Sequence, residues 1–270
     1  MTRTEVAAAA PTWVRERLEG QRREVTVVHA GADAIYVDDA GRCLGLLSRS
    51  AVSVPCGLQT TMRELPIVPD RAYLGDGRME LNGTTVRVGR LVDATVPRLN
   101  ICSTTAQALA TASAGRLDPV RAELPASALR ELRDAEPSCV PTLLGRGSGL
   151  TPVGDDVLCG WVATQHSISA PSVPMLRAIE ANAAASTTML SATLLSRACA
   201  GDVIPEFRRL LLALRSPTSS TAAICEAADA LLAVGHTSGA GLLLGCSLAL
   251  GDDPRPDVPA PSYSHDRRGR

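Results

Sequence analysis

Residues 23–97 switch between apolar and polar positions in short runs. Segments 25–28, 34–37, 43–47, 52–54, 78–81 and 84–88 are β-branched or alternating, the pattern of strands with one buried face. Turn residues separate them: Gly31, the 38–41 stretch, 55–57, 75–77 and Asn82-Gly83. The last pair is the sharpest signal. A two-residue hairpin turn needs positive φ at both central positions, and Asn-Gly tolerates this best. Many short strands at this spacing predict a small antiparallel barrel or sandwich.

The pattern changes near residues 97–100. Beyond it, Ala/Leu-rich segments carry apolar residues at helical spacing. Helices are predicted over 104–114, 126–135, 154–164, 175–200, 205–214, 220–234 and 239–250. Pro119, Pro125, Pro137, Pro171, Pro174, Gly201, Pro217 and Gly235 punctuate them. The expected fold class is α+β, an N-terminal antiparallel barrel or sandwich-like domain followed by an Ala/Leu-rich helical domain. The expected division is an N-terminal tail with a short helix (1–22), a β-rich domain (23–97), a helical domain (98–251) and a disordered, proline-rich tail (252–270). A faint internal echo links 151–160 to 237–245. Each has a Thr, a Gly, an apolar helix start and a second Gly, and a match this short can arise by chance.

Composition narrows the function classes. Aromatic residues make up 2% of the chain, so the core must be Ala, Leu and Val, and stacking platforms for nucleic acid are lacking. Net charge is −1 with both signs interspersed, so no basic stripe marks a nucleic-acid binder. The Ala run near the N-terminus is interrupted by Glu5 and leads into no apolar core, so it reads as a frayed tail rather than a signal peptide. No apolar stretch has the length of a membrane span, and a soluble cytoplasmic protein is expected. Cys43, Cys56, Cys102, Cys139, Cys159, Cys199, Cys225 and Cys246 form no CxxC pair, so they read as small buried hydrophobes.

Candidate chemistry gathers in residues 145–156, GRGSGLTPVGDD. Gly145, Gly147, Gly149 and Gly154 could let backbone amides converge on an anion at a helix start. The loop is neither a Walker A nor a dinucleotide motif, because Leu150 and Pro152 stand where the last glycine would be needed. Asp155 and Asp156 would repel a bare phosphate, and make sense with a bridging Mg²⁺. Ser148 and Thr151 add hydroxyls. The plainer alternative is that Thr151 caps the helix and the aspartates complement its dipole. A second segment, 235–239, offers His236, Thr237 and Ser238 as acid/base or acceptor contacts, or as a cap. A third offers Thr187 and Ser191 on one helix face, with Arg197 further along as a carboxylate fork. His29, His166 and His265 read as surface or structural. No GxSxG elbow is present.

These segments carry a resemblance. GRGSGLTPVGDDVLCG resembles the GxGxGLTPxGDDxLxG signature of AllH-like proteins. GHTSGAGLLLG resembles that family's GxTSGxDxLxG segment, and STTMLSATLLSRACAG is similar to its Thr-rich helix. The resemblance implies a subunit of oxamate carbamoyltransferase, working with partner subunits to move a carbamoyl group between carbamoyl phosphate and oxamate. The common carbamoyltransferase signatures, Ser-x-Arg-Thr-Arg and His-Pro-x-Gln, are absent, so such a reaction would use another scaffold. Three positions depart from the signature: Ser148 where the family often has Pro, Val153 for Ser, and Gly241 for Asp. The expectation is therefore a carbamoyltransferase-like protein binding a small anionic metabolite. Gly145, Gly147, Ser148, Gly149, Thr151, Gly154, Thr187 and Ser191 would bind substrate or phosphate. Asp155 and Asp156 would hold Mg²⁺, and His236, Thr237 and Ser238 would meet the acceptor. The alternative is a non-catalytic metabolite-binding or scaffolding subunit. No nucleic acid or membrane is expected as partner, and a homo-oligomer stays open.

Overall fold

The computed structural model describes residues 4–65, 71–100, 103–215 and 219–251. Its first part comprises β1 (Thr4–Ala10), α1 (Thr12–Leu18), β2 (Arg23–Ala30), β3 (Ala34–Asp38), β4 (Cys43–Leu47), β5 (Gly57–Gln59), β6 (Ala72–Gly75), β7 (Arg78–Leu81) and β8 (Thr84–Leu91). The strands close into a barrel in the order β1-β5-β4-β3-β2-β6-β7-β8. Closure removes the free edges that short strands would otherwise expose. Ile35, Val37, Leu44, Leu46, Leu74, Met79 and Val86 fill the interior, and α1 adds Val14 and Leu18 to the same core.

The barrel is antiparallel only in part. β1 runs parallel to β8, and β4 parallel to β5. The expected frayed tail is in fact the closing strand: β1 pairs with β8 from Thr4↔Thr84 to Ala10↔Leu91. Its alanines misled the reading because Ala favours helix, yet Ala8 and Ala10 are buried in a seam with little room. Residues 52–54 form no strand. The chain turns there, with the Gly57 amide donating to the Val54 carbonyl at 2.9 Å, and the strand starts at Gly57. The Asn82-Gly83 hairpin is as expected: φ is 43° at Asn82 and 83° at Gly83, and Leu81↔Thr84 flank it.

The second part comprises α2 (Ser103–Ser113), α3 (Asp118–Glu123), α4 (Ala126–Arg133), α5 (Val140–Leu143), α6 (Val153–Ser167), α7 (Val173–Ser186), α8 (Met189–Cys199), α9 (Pro205–Arg215), α10 (Thr221–Leu232) and α11 (Ser238–Ala249). The predicted 175–200 helix is two helices. Thr187 is extended, with φ −142°, and Thr188 caps α8 by accepting the Ser191 amide.

α6 and α11 form the centre. Both are buried on nearly every side, so neither shows a polar face. They approach so closely that a Cβ at Gly160 would strike the Leu242 carbonyl, and one at Gly245 would strike the Val157 carbonyl. The faint echo in the sequence thus falls on two helices packed glycine to backbone.

The two parts share one seam. The Cys43 amide donates to Thr193 Oγ1 at 2.8 Å, Val96 to the Gly201 carbonyl at 2.8 Å, and Val203 to the Ala94 carbonyl at 2.9 Å. Tyr36, Cys43, Leu47 and Cys56 pack with Leu190 there. Cys43, Cys56, Cys139, Cys159 and Cys246 are buried, as expected, and Cys199 and Cys225 half-buried. Among the described residues, no helix is long and apolar enough to cross a membrane. Cys102, His265 and the 252–270 tail lie outside the described residues.

Candidate functional site

The glycine-rich loop is organised around Asp155. This side chain is fully buried. Its Oδ1 accepts the Gly145 amide at 2.8 Å, and its Oδ2 accepts the Ser191 hydroxyl at 2.7 Å and the Thr187 hydroxyl. Burial raises its pKa, and these three donors oppose the rise. Thr188 adds a tie, donating to the Leu150 carbonyl at 2.6 Å. The break between α7 and α8 is therefore where the chain hands its hydroxyls to the loop.

Three of the four glycines answer to packing, among them Gly147, where a Cβ would lie 2.7 Å from the Val153 nitrogen. A Cβ at Gly145 would strike the Ser186 carbonyl, and one at Gly154 the Leu143 carbonyl. The loop also spends amides on itself. Gly154 donates to the Arg146 carbonyl at 2.9 Å, while Asp155 and Asp156 donate to the Pro152 carbonyl at 3.0 and 3.2 Å. The amides of Gly154, Asp155 and Asp156 in the first turn of α6 are thus not open to an anion. The amides of Gly147, Ser148, Gly149, Leu150 and Thr151 make no hydrogen bond to another described residue.

Asp156 has a different setting. It lines a cavity of about 330 Å³ between the barrel and the helices. The residue is 6% exposed, and its Oδ2 has no hydrogen-bond partner among the described residues. Beside it on the wall, Thr151 Oγ1 and Ser238 Oγ share a hydrogen bond of 2.9 Å. Burial pushes the Asp156 carboxyl up to about 8; hydrogen bonding from Ser238 opposes this, and the neighbouring Asp155 charge adds to it. A Cβ at Gly241 would lie 2.8 Å from the Asp156 Cβ. The glycine found where the AllH-like signature has Asp is therefore the space beside the Asp156 side chain.

Residues 143–250 match the family model of oxamate carbamoyltransferase subunit AllH. No solved structure matches the chain. The AllH match takes in the glycine loop, α6 to α10 and α11, and it lies wholly beyond the barrel strands.

Within the matched segment the expected site residues fall into three groups. Thr151, Asp156 and Ser238 meet at the cavity. Gly145, Asp155, Thr187 and Ser191 form a separate cluster around the buried Asp155 carboxyl. Gly147, Ser148 and Gly149 are exposed on the loop. Gly154 is buried in packing. Thr187 and Ser191 thus serve Asp155 and do not line the cavity. His236 is exposed and is not part of the cavity wall, and Thr237 meets α11 through its carbonyl, which accepts the Gly241 amide at 2.8 Å. Arg197 is no free fork. Its Nε donates to Asp202 at 3.1 Å and its guanidinium lies 4.9 Å from the Trp13 ring centroid.

The sequence reading missed the barrel's share of the wall. Asp33, Tyr36, Ala51, Val52, Val54 and Pro55 line the cavity opposite α6 and α11. Asp33 accepts Ser48 at 2.7 Å and Ser50 at 2.8 Å, which holds its carboxyl below the ordinary value. Cys159 also lines the cavity, with burial pushing its thiol well above the reactive range. No Lys, Arg or His is among the described lining residues. No local signal in the strands announces these residues, because they come from a separate stretch of chain.

Proposed function

We propose that this chain is a subunit of a carbamoyltransferase assembly, and that the cavity between barrel and helices is where it meets a small metabolite. The observation that carries this reading is the buried, unpartnered Asp156 Oδ2 beside the Thr151–Ser238 hydroxyl pair, inside the segment that matches the AllH model. Buried polar atoms in proteins are almost always hydrogen-bonded, so an open one on a cavity wall points to a ligand. A carbamoyl group presents N–H donors and a carbonyl acceptor, which complement a carboxyl and two hydroxyls.

In this reading carbamoyl phosphate, or a similar small phosphorylated or carboxylate metabolite, bridges two surfaces. Its carbamoyl end meets Asp156, Thr151 and Ser238. Its phosphate meets the unengaged amides of residues 147–151, with the Ser148 hydroxyl beside them. Preorganised amides there would stabilise charge gathering on a departing phosphate. The acceptor role expected of residues 236–238 rests mainly on Ser238, since His236 and Thr237 stand outside the cavity wall.

Mg²⁺ has a weaker seat than the double aspartate suggests. Asp155 already accepts three donors, which leaves Asp156 as the carboxylate with an open oxygen. Among the described residues, no cluster of three or more His, Cys, Asp or Glu side chains could hold a metal ion.

A second reading has its own support. A wall without Lys, Arg or His is a poor home for a phosphate dianion, and favours a non-catalytic subunit that binds a metabolite or braces a catalytic partner. Calorimetry of the full chain with carbamoyl phosphate, with and without Mg²⁺, tests the leading reading. Binding that weakens in Asp156→Asn and Ser238→Ala is expected; silence in both conditions, or undiminished binding in both variants, would sink it. Assay of the isolated chain against the co-purified complex separates the two readings, because activity of the chain alone excludes the second.

A further inference from the structure

The cavity is larger and more apolar than carbamoyl phosphate requires. At about 330 Å³ it falls in the size range of sites that enclose drug-sized ligands, roughly 300–1,000 Å³. Apart from the polar corner at Asp156, its wall is largely aliphatic, with Val54, Leu190, Leu194, Ile204 and Leu242 among the lining residues. Val52 and Leu150, also lining, are 39% and 45% exposed. A long apolar wall reaching solvent suits a ligand with an apolar body, because burying that body releases its hydration water.

The charges on the wall decide the head group. Asp33, Asp156 and Asp202 line the cavity, and no cationic side chain does among the described residues. Two of the three are already engaged: Asp33 by the Ser48 and Ser50 hydroxyls, Asp202 by Arg197. Asp156 retains an unpartnered oxygen. An acceptor-only head such as a carboxylate would meet the charges of Asp33 and Asp202, and that of Asp156 once it ionises, with no counter-charge on the wall. A head with several N–H donors would satisfy Asp156 Oδ2 and can donate to the Thr151–Ser238 pair as well.

We propose that the cavity takes a small primary amine with an aliphatic body, its nitrogen on Asp156 and its chain along the apolar wall. This rests on the reading that the cavity is the ligand site, and it does not require that the chain transfers a carbamoyl group. The ligand is recognised at two ends: removing either the nitrogen or the aliphatic body removes half of the fit.

The test uses the full chain and four probes in calorimetric titrations: hexylamine, hexanoate, methylamine and carbamoyl phosphate. Hexylamine should bind, with hexanoate and methylamine weaker by about tenfold or more, the scale of one lost charge-assisted hydrogen bond or of a lost aliphatic body. Asp156→Asn should weaken hexylamine by about tenfold. Ala51→Trp, at a half-buried wall position, should obstruct the cavity and abolish binding while leaving the circular dichroism spectrum unchanged; it carries the test if the Asp156 variant fails to fold. Hexanoate binding as tightly as hexylamine, or hexylamine binding unaltered by Ala51→Trp, overturns the proposal. Carbamoyl phosphate binding without hexylamine overturns it and leaves the carbamoyltransferase reading in place. Hexylamine binding without carbamoyl phosphate does the reverse, and silence with every probe overturns both.

Discussion

The two central helices begin in opposite ways. The start of α6 is locked: Asp155 draws in Gly145, Thr187 and Ser191, and the amides of residues 154–156 fold back on Arg146 and Pro152. The start of α11 is loose by comparison. Thr237 caps it with no side-chain hydrogen bond, His236 is exposed, and Ser238 joins Thr151 at the cavity. The difference separates a start tied into the fold from one that borders the cavity, although both starts show the same glycines and hydroxyls in sequence. It also divides two neighbours, because successive residues on an α-helix point about 100° apart. Asp155 therefore faces the hydroxyls of the α7–α8 break while Asp156 faces the cavity.

The largest effect should come from the contact the two helices share. Gly160→Leu or Gly245→Leu places side chains where backbone now lies, and should cost about 3 kcal/mol or more, read as a drop in melting temperature or failure to fold. Asp155→Ala comes next. It strands the buried Ser191 hydroxyl, the half-buried Thr187 hydroxyl and the Gly145 amide, and should cost about 2–3 kcal/mol in denaturant titrations without needing any ligand. A variant as stable as the parent would show that these hydrogen bonds do not hold the start of α6 in place.

Asp156 should behave in the contrary sense. Its folded value of about 8 lies above the ordinary 3.8, so the folded chain holds a proton that the unfolded chain gives up. Stability should therefore fall as pH rises from near 4 through about 8, by at most about 1.4 kcal/mol per pH unit. Asp156→Asn should flatten that slope and be relatively more stable above pH 8. A slope unchanged by the substitution would contradict the unpaired, buried setting. The smallest effect is expected at His236→Ala, within about 0.5 kcal/mol, because the imidazole is exposed and outside the cavity wall. A larger loss, in melts or in ligand binding, would bring His236 back into the site.

Much of this was legible from residue pattern. Cys43–Leu47 and Arg78–Leu81 carried their strand signals within their own boundaries, and Asn82-Gly83 stated its turn outright. The loop also announced itself by its glycines. What it hid was the division of labour. Glycine's missing side chain serves a close backbone approach and a ligand cradle equally well, and only the neighbour decides: the Ser186 carbonyl at Gly145, the Leu143 carbonyl at Gly154. Likewise Thr187 and Ser191 share a helix face in sequence, but their common partner, Asp155, lies on another helix. β1 was unreadable for a related reason. Its alanines gain their place only from pairing with β8, distant in the chain.

Asp155 is tied into the fold, and under the proposed function Asp156 belongs to a ligand. Carboxyl-detected NMR, following both side chains through a pH titration with and without carbamoyl phosphate or hexylamine, tests this division most directly. An Asp156 signal that titrates near pH 8 in the free chain and shifts when a ligand is added, with the Asp155 signal unmoved by the ligand, is the expected result. A ligand-induced shift at Asp155 with Asp156 silent would contradict it.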